Sequence, residues 1–435
     1  MTLAAPVTLS NRKMNLSLLT IAVMFFVFGF VTWINAILIP YFKIACELSN
    51  FQSYLVAFAF YIAYLVMSLP ASMLLEKIGF KKGIMTGFFI MSLGALIFIP
   101  AALTRTYGIF LLGLFTLGTG LAILQTAANP YVTILGPKET AARRISIMGI
   151  CNKAAGIIAP LIFAAVVLRV TDSDLFKQLP LMSASEKSVA LDELIRRVVM
   201  PYGVVAVVLF GLGIFIRFSG LPEIEAPREN EIAGNTSVRH FPHLMLGAVA
   251  IFMHVGTQVI AVDSVINYAG SMGITLLEAK IFPSYILFAT IIGYLAGIST
   301  IPKIVSQVNA LQICTVVGLI LSICILFSSG FINLFGHSAD ISIWFLVALG
   351  LPNSLVWAGI WPLALDGLGR HTKKGASILI MALCGNAIIP LIYGQLADLF
   401  SMRTAYAILI PCYLYLIFYA FYGHTLRSWK TTKAL

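Results

Sequence analysis

Apolar runs of about 20 residues alternate with short polar breaks along the chain, the length a helix needs to cross the hydrocarbon core of a bilayer. Such runs begin near Leu16, Phe51, Ile84, Tyr107, Ile145 and Val198, and again near Leu244, Leu277, Ile304, Ile341, Ala376 and Ala405. The pattern predicts twelve spanning helices in two sets of six. Between the sets lies 220–242, rich in Pro, Glu, Asn and Arg. The expected organisation is an N-terminal bundle over 1–219, a cytoplasmic linker over 220–242 and a C-terminal bundle over 243–435. A second polar stretch, 169–197, reads as a solvated loop with a short amphipathic helix. The opening residues are polar, with Arg12 and Lys13, and the apolar run after them has no small-residue cleavage site. That run reads as a spanning helix rather than a removed signal peptide.

The two sets also resemble each other. Pro130 and Gly136 close the fourth span, as Pro362 and Gly369 close the tenth. Cys151-Asn152 followed by Ile158-Ala159-Pro160-Leu161-Ile162 matches Cys384-Gly385-Asn386 followed by Ile388-Ile389-Pro390-Leu391-Ile392. Asn35 and Asn267 are separated by the same 232 positions as Pro130 and Pro362. Several matches at nearly one offset indicate a duplicated six-helix unit. Two parallel repeats around a midplane cavity is an all-α membrane architecture of the major facilitator type.

Composition agrees. The chain is 60% hydrophobic and 10% charged, against roughly 25% charged in a soluble domain. The formal charge of +11 would suggest nucleic acid in a soluble protein. Here the basic residues sit in the short breaks, where the topology of membrane helices accounts for them. With the amino terminus placed in the cytoplasm, 18 of the 28 Lys and Arg fall in cytoplasmic segments and nine outside, five of those nine in the long 169–197 loop. The expectation is a bacterial-type inner-membrane protein with both termini cytoplasmic, lipid as its surroundings, no nucleic-acid partner, and a monomer. The six cysteines lie mostly inside apolar runs without a CxxC pair, so they read as small apolar fillers rather than disulfides or metal ligands.

Polar groups inside hydrocarbon are expensive, so their placement carries information. Candidates are Trp33 and Asn35 in span one, Gln125 and Asn129 in span four, Asn152 in span five, Gln258 and Asn267 in span seven, and Asn353, Trp357 and Trp361 in span ten. Uncharged amides meet hydroxyl pairs as donor and acceptor at once. Indole faces cover the apolar face of a pyranose. The same amides serve equally to link helices, and Trp to mark the interface. Taken together, Gln125 and Gln258 favour a sugar contact. No HExxH, Ser/His/Asp set or metal-ligand spacing is found, so an enzyme is not expected, nor any cofactor. A multidrug exporter would want a wider cavity with fewer amides.

The segment SMLLEKIGFKK (72–82) resembles the cytoplasmic loop signature of the major facilitator superfamily, with Glu76, Lys77, Gly79, Lys81 and Lys82 in its places. That resemblance implies a charge clasp that opens and closes with the alternating states. NAILIPYFK (35–43), GALIFIPAA (94–102) and above all LQTAANPYVTILGP (124–137) resemble the fucose permease and glucose/galactose transporter branch, with 256–258 and GLGRHTKKGAS (367–377) a looser match. The resemblance implies import of a neutral hexose, glucose or galactose, by symport with Na⁺ or H⁺. N-acetylglucosamine, fucose and uncoupled transport are the neighbouring alternatives. Two acids of the fucose permease pattern are missing, with Ala36 and Gln125 in their places. Coupling must then use another charge. Lys153, Asp263 and Asp366 are the candidates, and either acid stands as a partner for Lys153 at a similar depth. His254 reads as a packed histidine.

Overall fold

The computed structural model describes residues 11–134, 141–219, 221, 240–301, 303–368 and 371–429. Most of the proposed linker, and basic residues such as Lys138 and Arg370, lie outside that set. Among the described residues twelve helices are long and apolar enough to span a membrane. Spans one to six are Leu16–Ala45, Asn50–Ile78, Phe80–Thr104, Tyr107–Ala128, Ile147–Val167 and Ala184–Phe218. Spans seven to twelve are Pro242–Ser271, Leu276–Thr300, Gln307–Phe327, Ile341–Leu365, Lys374–Leu399 and Met402–Phe421. An even number of crossings puts both chain ends on one face, here called the terminal face; the other is the distal face.

Helix starts on the distal face are written locally. Ser49 with Gln52, Ser183 with Glu186 and Thr275 with Glu278 each form a capping box, satisfying orphan N–H groups that lipid or water would otherwise have to meet. Asp340 caps span ten by accepting from the Ser342 N–H, and Ser401 caps span twelve by accepting from the Thr404 N–H. Span nine starts at Gln307, after the Ser306 cap, later than the apolar run near Ile304 implied. A β-hairpin, Phe331–Leu334 with His337–Asp340, joins spans nine and ten. Its turn puts Phe335 and Gly336 at φ 53° and 79°, the left-handed backbone such tight hairpins demand.

The 169–197 stretch is more ordered than a solvated loop. Helices Asp172–Gln178 and Ala184–Arg196 lie over the distal end of the first six spans. Leu191, Leu194 and Ile195 are buried, so the expected amphipathic helix is present and its apolar face is covered. Arg197 Nη1 donates to the buried Asp172 carboxylate at 2.7 Å, and Arg105 pairs with Asp192 at 3.0 Å.

Within the first six spans, three packs on four and six, two on four, and one on five. Spans three and four meet through paired glycines: a Cβ on Gly120 would lie 2.5 Å from the Gly87 oxygen, and one on Gly113 3.1 Å from that of Gly94. The seven-residue spacing repeats the small residue on one helix face, which lets backbones approach where lipid gives no hydrophobic drive. Spans seven to twelve build a second bundle of contacts, seven on ten, eleven and twelve, and ten on eight and nine. The bundles meet where span two packs on eleven, five on eight, and the distal half of one on seven. Spans four and ten make no contact of that extent. The structure is therefore closed between the bundles on the distal side.

Candidate functional site

Span one is interrupted at Ile34, between helices Asn11–Trp33 and Asn35–Ala45. The break places Trp33 and Asn35 in different surroundings. Trp33 turns toward span five, where its Nε1 donates to Asn152 Oδ1 at 3.2 Å. Two glycines permit this approach: a Cβ on Gly29 would meet the Asn152 backbone oxygen at 2.0 Å, and one on Gly156 would meet the Trp33 ring at 2.5 Å. Asn152 Nδ2 reaches the Phe25 carbonyl at 3.4 Å. The neighbouring Lys153 Nζ stands 4.0 Å above the Trp33 ring centroid and 3.4 Å from Gln258 Oε1 of span seven. Trp33, Asn152, Lys153 and Gln258 thus form one polar layer from spans one, five and seven, crossing between the bundles. His254 lies one turn before Gln258, is buried, and has no partner for its Nδ1 among the described residues.

Gln125 faces span two, its Nε2 donating to the Tyr64 hydroxyl at 2.9 Å. Its carbonyl accepts no hydrogen bond among the described residues, and it remains partly exposed. Trp357 and Trp361 stack on each other, ring centroids 5.2 Å apart, and are also partly exposed. Asn353 is directed elsewhere: it is buried and accepts from the Tyr413 hydroxyl of span twelve at 2.7 Å. The Asn129 side chain lies outside the described residues. Asn35 and Asn267 are buried near the Asp263 side of span seven, away from the Trp33 layer.

No carboxylate pairs with Lys153 among the described residues. Asp366 does not share its depth. It follows the end of span ten on the terminal face, is 61% exposed, and pairs with Arg427 at 2.6 Å. The sequence pattern placed it inside the span because the apolar run ends only one residue earlier. Asp263 is fully buried, with both oxygens unpartnered.

In the loop between spans two and three, Gly79 takes φ 79°, which ends one helix and starts the next. Lys81 Nζ donates to the Ser219 carbonyl at 2.8 Å. Glu76, Lys77 and Lys82 are exposed and form no ion pair with another described residue. On the distal side the contact is tight. Asp398 at the end of span eleven accepts from the backbone N–H groups of Asn50 and Phe51 at 2.9 and 2.7 Å, and from Asn50 Nδ2 at 2.7 Å. Lys43 donates to Asn50 Oδ1 at 2.6 Å, and Tyr54 meets Tyr393 edge to face at 5.4 Å.

The sequence and the twelve-span fold are shared with known proteins. Residues 21–384 match the model of the Major Facilitator Superfamily. A glucose/galactose transporter of Brucella abortus is 34% identical over 423 residues, 96% of each chain. The chain belongs to the Major Facilitator Superfamily. Within the superfamily it falls in the fucose permease and glucose/galactose transporter branch: the L-fucose-proton symporter of Escherichia coli is 29% identical, covering 92% of this chain and 90% of that one. The crystal structure of a superfamily transporter, FucP, in the outward conformation superposes with a TM-score of 0.70 at 26% identity, covering 95% of this chain and 99% of that one. The twelve spans are accordingly those of a multi-pass membrane transporter.

Proposed function

We propose that this chain imports a neutral hexose of the glucose or galactose type by cation-coupled symport with alternating access. The observation that carries the proposal is the Trp33–Asn152–Lys153–Gln258 layer, which draws on both bundles beneath a closed distal mouth. A sugar held there would be released to one side or the other as the bundles rock. Gln125, whose carbonyl has no partner among the described residues, and the Trp357–Trp361 stack supply further hydrogen-bonding and ring surfaces. The full-length relationship to a glucose/galactose transporter supports the hexose, and the fucose-proton symporter supports H⁺ as coupling ion.

The Lys and Arg asymmetry supports a cytoplasmic terminal face, and on that reading the distal closure is on the outer side of the membrane. The bundles are assigned to 1–219 and 243–435, joined by 220–242. In the opposite state, Glu76, Lys77, Lys81 and Lys82 would tighten the cytoplasmic side around the Gly79 turn.

Binding of labelled glucose and galactose to the purified protein, competed by unlabelled hexoses, fucose and N-acetylglucosamine, tests the substrate. The proposal expects glucose or galactose to compete best. Absence of any sugar binding would reject it.

A further inference from the structure

We propose that Asp263 is the carboxylate of a buried site for one monovalent cation, a proton or Na⁺, walled by spans one, two and seven. The proposal rests on the symport reading above and gives it a location.

Asp263 has no exposed surface, and neither of its oxygens has a hydrogen-bond partner among the described residues. A bare carboxylate at that depth is too costly to persist, so it must hold a proton or a cation. Its surroundings are polar and poorly satisfied. Tyr54 and Tyr61, seven residues apart on one face of span two, both interact electrostatically with it. Asn35 is the hydrogen-bonding neighbour of Tyr61, and Asn267 and Ser264 of Tyr54, but none of these contacts reaches good hydrogen-bond geometry. Orphaned atoms here are Asn35 Oδ1 and Nδ2, the Tyr54 and Tyr61 hydroxyls, both Asp263 oxygens and Asn267 Nδ2. The next residue, Ser264, shows that the fold does satisfy polar groups nearby: its hydroxyl meets the Ile260 carbonyl at 2.6 Å and Tyr406 at 2.6 Å. Buried polar groups are normally paired, so four under-satisfied side chains around one unpartnered acid point to a missing occupant.

The donor set defines that occupant. A carboxylate, amide carbonyls and phenol oxygens are hard oxygen ligands. One carboxylate neutralises one positive charge. A proton or Na⁺ leaves the site neutral in hydrocarbon, whereas a divalent ion would leave it charged. Asn35 and Asn267 occupy matching places in the two repeats, and each neighbours a tyrosine that interacts with the acid, so both bundles present an amide to the site.

Lys153 does not fill this role. It is engaged by Trp33 and Gln258. Gln258 lies five residues before Asp263, about 7.5 Å along the helix and about 140° around it. The titratable groups facing Asp263 are Tyr54 and Tyr61 of span two; Tyr406 of span twelve and Tyr393 of span eleven come next, past Ser264 and Tyr54. Span one presents the Asn35 amide. The site lies on the distal side of the Gln258 layer, below the Asp398–Asn50 contact, so parting spans two and eleven there would open its wall.

The test uses purified full-length protein. Its thermal unfolding midpoint is followed against NaCl at fixed pH, with choline chloride holding ionic strength, and against pH without Na⁺. The wild type should gain stability saturably with Na⁺, or with protons alone; whichever acts identifies the cation. Asp263→Asn should unfold cooperatively and lose that response. Tyr61→Phe and Asn35→Ala should each shift the half-saturating cation concentration about tenfold, while exposed Glu278→Gln behaves as wild type. A wild type that responds to neither cation overturns the proposal, as does an Asp263→Asn variant that responds like wild type. If Asp263→Asn does not fold, unchanged half-saturation in both Tyr61→Phe and Asn35→Ala overturns it instead. Sugar binding on the same samples keeps the two readings apart: a cation response without sugar binding rejects the hexose and leaves the site standing.

Discussion

Removing the Asp398 carboxylate should release the distal mouth. In the closed state Asp398 accepts three hydrogen bonds at the start of span two, from the Asn50 and Phe51 N–H groups and Asn50 Nδ2. Parting the bundles must break all three at once. A carboxylate at an exposed helix start contributes about 0.3–1 kcal/mol, and loss of a helix-capping partner costs about 0.5–2 kcal/mol. Ser49 continues to cap Gln52, and the contact is exposed, so screening keeps the sum near 1–2 kcal/mol. Because the contact belongs to one state only, its loss falls wholly on the equilibrium, a shift of about 5- to 30-fold toward the distal-open form. Spin labels report this directly. Leu181 and Phe331, 86% and 67% exposed, lie on the distal face of opposite bundles and can be changed to Cys in a background without the six native cysteines. Asp398→Ala should move population from the short to the long inter-label distance by that factor, and Asp398→Asn, which keeps one acceptor, by less. An unchanged distance distribution in Asp398→Ala would refute the latch.

Further outcomes concern the site and the distal face. Gln125→Ala and Gln258→Ala should insert normally and bind sugar about ten- to hundred-fold more weakly, as expected for a lost buried hydrogen bond of about 1–3 kcal/mol; titration calorimetry checks this, and unchanged affinity in both removes them from the site. Replacing Trp33, Trp357 and Trp361 with Phe, one at a time, should abolish the sugar-dependent fluorescence change in at least one variant. On the distal face, burial pushes the Asp340 carboxyl up, but the Ser342 hydroxyl and N–H, the Gly330 N–H and the Arg403 guanidinium outweigh it, holding it below the usual carboxylate range. A depressed acid stabilises the fold above its ordinary range, and that contribution is lost as pH falls through the lowered value. Asp340→Asn should therefore lower the unfolding midpoint at neutral pH and lose less stability below about pH 4 than wild type.

Spans and repeat were legible because lipid imposes length and apolarity on every crossing, and duplication leaves matched residues such as Asn35 and Asn267. The Trp33–Asn152–Gln258 grouping was partly legible, since amides at membrane depth stand out. Its internal geometry was not: Trp33 reaches Asn152 because Gly29 and Gly156 admit the ring, and nothing in the pattern tells these glycines from others. Depth misled at Asp366, where one residue separates the end of an apolar run from a surface ion pair with Arg427. Asn353 has the right residue type and depth but points to Tyr413, because rotation about the helix axis decides what a side chain meets. Tyr54 and Tyr61 carry no signal of their own in the sequence beyond a seven-residue spacing that puts them on one helix face. The Asp398–Asn50 contact joins residues 348 positions apart, a proximity that periodicity cannot reveal.

The central claim is coupled sugar transport between the two bundles. Uptake of labelled glucose and galactose into proteoliposomes, with and without an imposed H⁺ or Na⁺ gradient, tests it most directly. The account predicts accumulation above the external concentration only when one of these gradients is applied, with loss of uptake in Gln125→Ala and Gln258→Ala. Uptake that never exceeds equilibrium under either gradient would contradict coupling. Absence of any sugar entry from a correctly inserted protein would contradict the account as a whole.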